Sequence, residues 1–422
     1  MGRKVNTDAL VIGAGTAGLA TGIQLAQGGL RVLVVAAGEG CLPLASGTVD
    51  VLGYAPEPVA SPRDALFGFV HGHPDHPYRL TGIEGLERAL DWFTRTAEPL
   101  GYRGDLTRNR WVPTVLGGLR PTALVPGGMA AADLSGGGEV LVAGIRGFRD
   151  FHPALLAENL ARAASPSGSA AICARSVELE WPGGGGELAP FRLARRLEDA
   201  GIRRRLVAQL RPRLGEATAV AFPAFLGRER AADVRADLER QLERPVFEVP
   251  GLPPSLPGLR LFDCLRRALL AAGGRLLVGS NAIAATRHRT TLSSVTITRA
   301  SQPVAVSAKV FVLASGGFAT GGIVREPDGE LREPVFHLPV RGPAPGQQPF
   351  APDYLADHPL DRVGLDTDSD GRPVDSCGAP YASNLYAAGA VLAGALPWRE
   401  KSGEGLSLAT ASLVAEAILR CA

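Results

Sequence analysis

The feature that most constrains the fold is a glycine-rich turn between two apolar segments near the start of the chain. Asp8 to Ile12 is typical of a buried strand, Gly13-Ala14-Gly15-Thr16-Ala17-Gly18 follows directly, and Leu19 to Gln27 has the pattern of a helix. Gly28-Gly29 ends that helix, and Leu30 to Ala36 predicts a second buried strand. Strand, G-x-G-x-x-G, helix and strand in this order predict a dinucleotide-binding βαβ unit.

Each glycine of the motif has its own physical role in such a unit. Gly13 permits the tight turn, Gly15 leaves room for a pyrophosphate, and Gly18 lets the helix pack close to the strand. The free amides at the helix start and the helix dipole would hold the anion. We therefore predict cofactor contacts along the whole motif, at Gly13, Ala14, Gly15, Thr16, Ala17 and Gly18.

The end of the second strand lacks the acidic residue that usually binds the adenosine ribose. The strand ends Val35-Ala36-Ala37-Gly38, and the nearest acid is Glu39. Three interpretations stay open: Glu39 reaches the ribose, the adenosine half is held loosely, or the adenosine half is absent. The last interpretation suits FMN better than FAD.

Later segments repeat the pattern of a strand or helix bordered by glycine. Ser46-Gly47-Thr48 offers small and hydroxyl side chains to a flavin ring, although an ordinary turn explains it equally well. The strand predicted at Lys309 to Ala314 is followed by a glycine turn. The strand predicted to begin at Asn384 is also followed by a glycine. Glycines also stand at the start of the last predicted helix. Plain packing is the alternative, and the joint order favours a cofactor. The added candidates are Ser46, Gly47, Thr48, Ser315, Gly316, Gly317, Gly389, Gly403, Gly405 and Leu406.

The 422 residues are enough for two domains of the α/β class. Residues 1–55 and 258–422 are predicted to form a discontinuous FAD/NAD(P)-binding, Rossmann-like domain with a parallel sheet. Residues 56–257, which are less regular and rich in proline and glycine, are predicted to form an inserted α+β domain for substrate or interaction. Its clearest elements are a strand at Glu139 to Ala143 and helices at Leu155 to Ala163 and Ala231 to Leu242.

Composition argues against several classes of function. The net charge of +2 does not favour nucleic-acid binding, which needs a concentrated basic face. The five cysteines form no C-x-x-C pair, so we expect neither a zinc site nor an iron–sulfur cluster within this chain. No signal peptide and no apolar run of membrane-spanning length are apparent, so we expect a cytoplasmic protein.

Longer stretches resemble a known family. VIGAGTAGLA, KVFVLASGGF and GLDTDSDGRPV, the last followed by NLYAAGAVLAG, resemble flavoproteins of the fumarate reductase and succinate dehydrogenase type. The resemblance is closer to the B subunits of anaerobic glycerol-3-phosphate dehydrogenase, along SGTVDVLGY, HPYRLTG, LPPSLPGLRL, ASGGFATGGIV, REPVFHL and FAPDYL. Two departures affect the expected ribitol contacts. The last helix begins Lys401-Ser402-Gly403-Glu404-Gly405 instead of glycines with a cysteine, and Ala390-Val391 replaces an acid.

The resemblance implies a quinone-dependent enzyme of anaerobic respiration. Such enzymes oxidise sn-glycerol 3-phosphate to dihydroxyacetone phosphate and pass electrons toward menaquinone, with fumarate or nitrate as the final acceptor. In this family the A subunit binds FAD, the B subunit is described as an FMN protein, and the C subunit carries iron–sulfur clusters at the membrane. The resemblance thus implies FMN for this chain, with FAD as the alternative, and peripheral association with the inner face of the cell membrane through its partners.

Candidate catalytic residues are weaker predictions than the glycine motifs. If this chain oxidised the alcohol itself, it would need a base and cations for the phosphate. His76 and His337 are candidate bases, and the candidate phosphate partners are Arg325, Arg332, Arg341 and Arg399. For any single candidate we favour the alternative that it is a structural histidine or a surface arginine. Three functions remain open: an electron-relaying flavin subunit, an autonomous FAD-dependent reductase or dehydrogenase of a small acid, and a non-catalytic assembly subunit.

Overall fold

The chain alternates strands and helices along most of its length. A computed structural model describes residues 5–163, 171–184, 188–300, 302–344 and 346–421. The first elements are β1 Val5–Asn6, β2 Ala9–Ile12, α1 Thr16–Gln27, β3 Val32–Ala36, α2 Pro62–Gly72, α3 Tyr78–Thr96, β4 Arg103–Gly104, β5 Arg110–Pro113, β6 Leu119–Thr122 and β7 Leu124–Val125. Next come β8 Gly138–Ile145, α4 Pro153–Arg162, β9 Ile172–Leu179, α5 Pro190–Leu197, α6 Ala200–Leu210, β10 Ala219–Pro223, α7 Ala231–Leu242 and β11 Val246–Val249. The last are α8 Leu256–Ala271, β12 Arg275–Val278, β13 Ser280–His288, β14 Thr291–Arg299, β15 Gln302–Ser307, β16 Val310–Leu313, β17 Val324–Arg325, β18 Leu331–Arg332, β19 Leu385–Ala387, α9 Pro397–Glu400 and α10 Gly403–Cys421.

A parallel five-stranded sheet with the order β12-β3-β2-β16-β19 lies at the centre. Every residue of β2, β3, β16 and β19 is buried, as expected for parallel strands covered on both faces. The carboxyl ends of these strands share one edge, which is where open α/β sheets bind ligands. The predicted Rossmann-like fold with a parallel sheet is confirmed.

The two faces of the central sheet pack against different layers. Alternate residues such as Val11 and Val34 face α1, α8 and α10, whereas their neighbours Leu10 and Val35 face the other way. That second face packs on a mixed sheet with the order β1-β15-β14-β13, in which β1 is parallel to β15 and the other pairs are antiparallel. This sheet contains the hairpin predicted from the sequence. The result is three layers, which are the helices, the parallel sheet and the mixed sheet, with two apolar interfaces between them.

The first βαβ unit follows the sequence prediction with shifted ends. α1 begins at Thr16, so the last residues of the glycine motif form its first turn. Asp8 and Arg31 stand outside β2 and β3, where their side chains pair at 2.8 Å, and Lys309 binds the same carboxylate at 3.1 Å. Arg31 and Lys309 keep their contact with solvent, whereas Asp8 and the strands that follow these three residues are buried.

The middle of the chain has a second sheet, with the order β11-β10-β8-β9. All of its pairings are parallel, and α4 to α7 alternate with its strands, so this part is closer to an α/β unit than the predicted α+β pattern. Helices at 190–210 were not predicted from the sequence, because arginines outnumber the buried leucines there. The small antiparallel pairs β4–β7 and β5–β6 lie in the chain between α3 and the strands of this second sheet.

The predicted domain bounds remain a prediction. One cluster of buried residues is confined to 112–256 and surrounds the second sheet. Another joins the central sheet and α10 to residues of α2 and α3, including Phe69 and Phe93. Residues 62–96, placed in the inserted domain from the sequence, therefore share a core with α10 and the central sheet.

Candidate functional site

The glycine motif turns tightly at the carboxyl end of β2. Gly13 has a φ of +114°, and a Cβ there would collide with the carbonyl of Ala314. A Cβ on Gly18 would collide with the carbonyl of Gly13. A Cβ on Gly15 would meet nothing within 4 Å. Gly13 and Gly18 thus allow close packing, and Gly15 is the position that faces open space.

The start of α1 offers unpaired amides beside Gly15. Gly15 is the N-cap and provides no side-chain hydrogen bond, and the first turn of α1 contains no acidic residue. Amides at such an end need an acceptor, and the helix dipole favours one that is negative. The start of this 12-residue helix is therefore a candidate anion site at the sheet edge.

Two later turns arrive at the same edge. Gly317, which follows β16, lies so close to the turn after β19 that a Cβ there would be 2.5 Å from the carbonyl oxygen of Ala390. A Cβ added to Gly389 would lie 2.7 Å from the Cβ of Ala17. The amide of Gly389 donates a hydrogen bond to Thr410 Oγ1 at 2.9 Å. The hydroxyl of Ser315 is buried and has no hydrogen-bond partner among the described residues. The edge therefore combines three glycine turns with a polar atom that needs a partner.

The loop after β3 passes over the glycine motif. Gly40 has a φ of +67°, and a Cβ there would lie 2.9 Å from the amide nitrogen of Gly15. Glu39, the acid closest to the end of β3, is exposed. Only a glycine at position 40 leaves the Gly15 amide open, and the loop presents no buried carboxylate for a ribose.

Ser46 and Thr48 belong to a polar cluster that also contains Asp50 and Arg120. Arg120, in β6, donates to Ser46 Oγ at 2.7 Å, to Thr48 Oγ1 at 2.8 Å and to Asp50 at 3.0 Å. Thr48 Oγ1 donates to Asp50 Oδ1 at 2.9 Å. Gly47 has a φ of +78°, and its carbonyl accepts a hydrogen bond from Tyr102. The predicted hydroxyls are thus already bound to Arg120.

The start of α10 meets the same cluster. The Gly405 amide donates to the Asp50 carbonyl at 2.9 Å, and the Leu406 amide donates to the Ser402 carbonyl at 2.8 Å. Leu406 is fully buried, so Gly403 and Glu404 form the end of the helix that reaches outward. Burial of the carboxyl, and next the negative charge of Asp50, raise the pKa of Glu404 to about 7.

His76 lies in a buried polar contact between α2 and α9. Its Nε2 is 3.2 Å from Glu400 Oε2, and its Nδ1 accepts a hydrogen bond from the Tyr78 amide. Glu400 also accepts from the Leu396 amide and from Ser402 Oγ. Burial acts to raise the pKa of Glu400, but its bonds to His76 and these donors outweigh burial and hold that pKa below its usual value. Both ring nitrogens are engaged, which favours a structural role for His76.

The structure brings three of the weaker catalytic candidates together. Arg325, Arg332 and His337 line one cavity of about 920 Å³. Arg332 also pairs with Glu326, which leaves part of its guanidinium available. The chain that leads into β17 passes the glycine turn after β16, because the Cβ position of Gly322, two residues before β17, is 2.9 Å from Ser315 Oγ.

The other two arginine candidates are held by carboxylates. Arg341 pairs with Asp75 at 2.7 Å and Asp366 at 3.1 Å, and lines a neighbouring cavity of about 400 Å³. Arg399 pairs with Asp357 at 2.8 Å and also binds the carbonyls of residues 355 and 356. The structure thus separates both from the wall that carries Arg325 and His337.

Four residues of the site, Gly40, Asp50, Arg120 and Glu404, had no role predicted from the sequence. Gly40 and Asp50 follow predicted segments directly, so their proximity to the site was a usable signal. Arg120 had none, because it is 70 residues from Asp50 and reaches it only through the β5–β6 hairpin.

Neither a metal centre nor a membrane span is apparent in the described part of the chain. No group of three or more His, Cys, Asp or Glu side chains is arranged there to hold a metal ion. None of the helices within the described ranges combines the length and apolar character needed to span a bilayer.

Comparison with known proteins gives similarities along nearly the whole chain. A family model described as an FAD binding domain matches residues 8–406. The probable B subunit of anaerobic glycerol-3-phosphate dehydrogenase from Halobacterium salinarum is 36% identical, over 96% of each chain. The B subunit of the same enzyme from Pectobacterium atrosepticum is 34% identical, over 98% of each chain. Among solved structures, the 3-ketosteroid delta1-dehydrogenase of Sterolibacterium denitrificans matches 99% of this chain and 100% of its own, with 12% identity and a TM-score of 0.43.

Proposed function

Because the chain belongs to the flavoprotein family of the anaerobic glycerol-3-phosphate dehydrogenase B subunits, we propose that it is the flavin subunit of such an enzyme. The reaction is oxidation of sn-glycerol 3-phosphate to dihydroxyacetone phosphate. The observation that carries the proposal is the convergence of three glycine turns, after β2, β16 and β19, beside the open start of α1. A bound flavin supplies the electron acceptor, and the electrons continue toward menaquinone, with fumarate or nitrate as terminal acceptor.

The residues of the cofactor site divide into two groups. Gly13 to Gly18 would hold the flavin phosphate with backbone amides, and Ser315 to Gly317 together with Gly389 would border the ribityl chain. The unpaired hydroxyl of Ser315 fits a partner on the cofactor. Ser46 to Thr48 and the outer end of α10, at Gly403 and Glu404, would border the ring, whereas Gly405 and Leu406 are buried. The side-chain hydroxyls of Ser46 and Thr48 are held in place by Arg120.

FMN is the cofactor that this site favours, with FAD as the alternative. β3 ends in Ala36 and Ala37, and Glu39 is exposed, so no buried carboxylate meets an adenosine ribose. The test is to denature the purified protein and identify the released flavin by chromatography and mass. FMN would support the assignment. FAD would overturn it, and would mean that the adenosine is held without a buried acid.

The cavity lined by Arg325, Arg332 and His337 suits a phosphorylated alcohol. Arg325 and Arg332 would bind the phosphate, and His337 would take the hydroxyl proton. His76 is less suited as a base because both of its ring nitrogens are already bound. Substrate binding to this chain is therefore assigned to the wall formed by β17, β18 and the segment that follows them.

The partners proposed are the FAD-containing A subunit and the iron–sulfur C subunit of the same enzyme, through which the chain would associate with the inner face of the cell membrane. The relatives are named as B subunits, which implies a complex of several chains. The test measures dehydrogenase activity of this chain alone and after mixing with the two partners. Activity only in the mixture supports the flavin-subunit proposal. Activity of this chain without its partners would favour an autonomous FAD-dependent enzyme. The cavity lined by Arg325, Arg332 and His337 supports that alternative. A colourless protein that binds no added flavin would indicate an assembly subunit.

A further inference from the structure

Four polar side chains form a hydrogen-bonded cluster in the segment assigned to the flavin ring. Arg120 Nη2 donates to Ser46 Oγ at 2.7 Å and to Thr48 Oγ1 at 2.8 Å. Arg120 Nη1 donates to Asp50 Oδ2 at 3.0 Å. We propose that Arg120 is a positioning residue, which orients this cluster so that the Ser46 hydroxyl donates its proton to the flavin ring. This inference rests on the flavin binding proposed above.

The direction of each hydrogen bond follows from what the groups can donate. A guanidinium only donates, an ionised carboxylate only accepts, and a hydroxyl has one proton and two lone pairs. The two Nη2 protons of Arg120 therefore go to Ser46 and Thr48. Thr48 Oγ1 gives its single proton to Asp50 Oδ1 at 2.9 Å. Thr48 has no second proton on its hydroxyl, so it cannot donate to a ligand as well.

Ser46 keeps the proton that a ligand can use. Its Oγ accepts from Arg120 and lies 2.9 Å from Thr48 Oγ1. Because Thr48 donates its proton to Asp50, Ser46 must be the donor in that contact. Rotation about the Cβ–Oγ bond of Ser46 turns this proton from Thr48 to an acceptor on the ring. The bond from Arg120 makes the hydroxyl a stronger donor, because successive hydrogen bonds polarise one another.

The chain before Ser46 keeps this hydroxyl close to the glycine motif. A Cβ on Gly40 would lie 2.9 Å from the amide nitrogen of Gly15. A single 3₁₀ turn follows, and the Ala45 amide at its end donates back to the Cys41 carbonyl at 3.1 Å. Ser46 is the next residue, so only this one turn separates it from the loop that lies over Gly15.

The last helix anchors the other side of the cluster at the same edge of the sheet. The Gly405 amide donates to the Asp50 carbonyl at 2.9 Å. Two residues further along α10, Ser407 Oγ is 3.6 Å from the Cβ position of Gly389, in the turn after β19. The Arg120 side chain is only 14% exposed, which limits competition from water for its hydrogen bonds. The cluster is therefore fixed between two of the glycine turns.

A proton donated by Ser46 affects the oxidised and reduced flavin unequally. Reduction adds two electrons, supplied by the alcohol or by a chemical reductant, and one proton, which leaves the flavin one unit more negative. A hydrogen bond to a charged acceptor is about twice as strong as one to a neutral acceptor. Loss of the Ser46 hydroxyl should therefore lower the affinity for reduced flavin, relative to oxidised flavin, by about 2-fold to about 12-fold.

The test is the midpoint potential of the bound flavin, measured by spectroelectrochemistry in the full chain. Ser46→Ala should lower this potential by about 9 mV to about 32 mV, since a tenfold change corresponds to about 30 mV for a two-electron couple. Arg120→Lys keeps a positive charge beside Asp50 but lacks the fork that holds both hydroxyls, so it should also lower the potential. Combined with Ser46→Ala, Arg120→Lys should add no further shift. Arg108→Lys, in an exposed ion pair with Asp133, is the matched control and should behave as wild type.

The outcomes separate this inference from the proposed function. Failure of the wild-type protein to bind flavin overturns the function itself. Normal flavin content in Ser46→Ala with an unchanged potential overturns only the inference. Additive shifts in the double variant would also overturn it, because Arg120 would then act on the flavin without Ser46.

Thr48→Val gives a second test that does not depend on the folding of Arg120→Lys. It should lower the stability to denaturant, because Arg120 and Asp50 each lose a partner. It should leave the potential as in wild type, because the Thr48 proton is donated to Asp50 and not to the ring. A larger shift in Thr48→Val than in Ser46→Ala would overturn the assignment of the donor.

Discussion

Replacement of Gly15 by alanine tests the cofactor site without disturbing its frame. The added methyl group would meet no protein atom within 4 Å, and the φ of Gly15 is −75°, which alanine adopts readily. The same change at Gly13 would demand an alanine at a φ of +114° and a collision with Ala314. Gly15→Ala therefore places a methyl group in the ligand's space, whereas Gly13→Ala distorts the turn itself.

The magnitude follows from overpacking and from the loss of an N-cap glycine. Forcing one methyl group into a closely packed site costs about 1–3 kcal/mol. At 1.4 kcal/mol per factor of ten, flavin affinity should fall by about 5-fold to about 140-fold. Alanine is a poorer N-cap than glycine, so the free energy of unfolding without flavin should fall by no more than about 1 kcal/mol.

The assay is flavin binding to the apoprotein by fluorescence quenching, together with denaturant unfolding of the same samples. Gly68→Ala, at an exposed position of α2 with open space around it, is the matched control. It should leave flavin affinity unchanged and should stabilise the helix by about 0.5–1 kcal/mol. Wild-type flavin affinity in a folded Gly15→Ala protein would refute the assignment of the anion site to this turn.

Three further predictions concern the surroundings of the site. Ser315→Ala should lower flavin affinity by about 2-fold to about 12-fold, because it removes one hydrogen bond of about 0.5–1.5 kcal/mol. An unchanged affinity would mean that the Ser315 hydroxyl does not bind the flavin. Glu400→Ala should lower the free energy of unfolding by about 3–5 kcal/mol at neutral pH because it leaves His76 and two donors without their buried partner. Since the folded pKa of Glu400 is lowered, this loss should be complete above pH 4.5 and should shrink as pH falls through the folded pKa, whereas a pH-independent loss would contradict an ionised Glu400 carboxylate. Arg325→Met with Arg332→Met should raise the KM for glycerol 3-phosphate in the assembled complex at unchanged flavin content, and an unchanged KM would exclude the cavity as the phosphate site.

Local patterns were sufficient for the first part of the cofactor site. The strand, the glycine motif, α1 and β3 lie within about 30 residues, the usual length of a βαβ unit, and each has its own periodicity. The arrangement around Ser46 to Thr48 was beyond such patterns, because Arg120 and Glu404 reach it from distant parts of the chain. The same holds for His76, whose partner Glu400 is 324 residues away. The sequence identified both histidine candidates, but their difference in burial depends on packing between α2, α9 and β18.

The sequence alone determined the fold class and the family and predicted the anion-binding turn, because each depends on short motifs that have one favourable conformation. Gly13, Gly15 and Gly18 could be assigned different roles from their order, and the structure has close packing at Gly13 and Gly18 and open space at Gly15. Only the tertiary structure decided which candidates share a wall, which hydroxyls are already bound and which carboxyl titrates near neutral pH. These properties come from distances between elements far apart in the chain, and burial in a shared low-dielectric environment gives such contacts their strength.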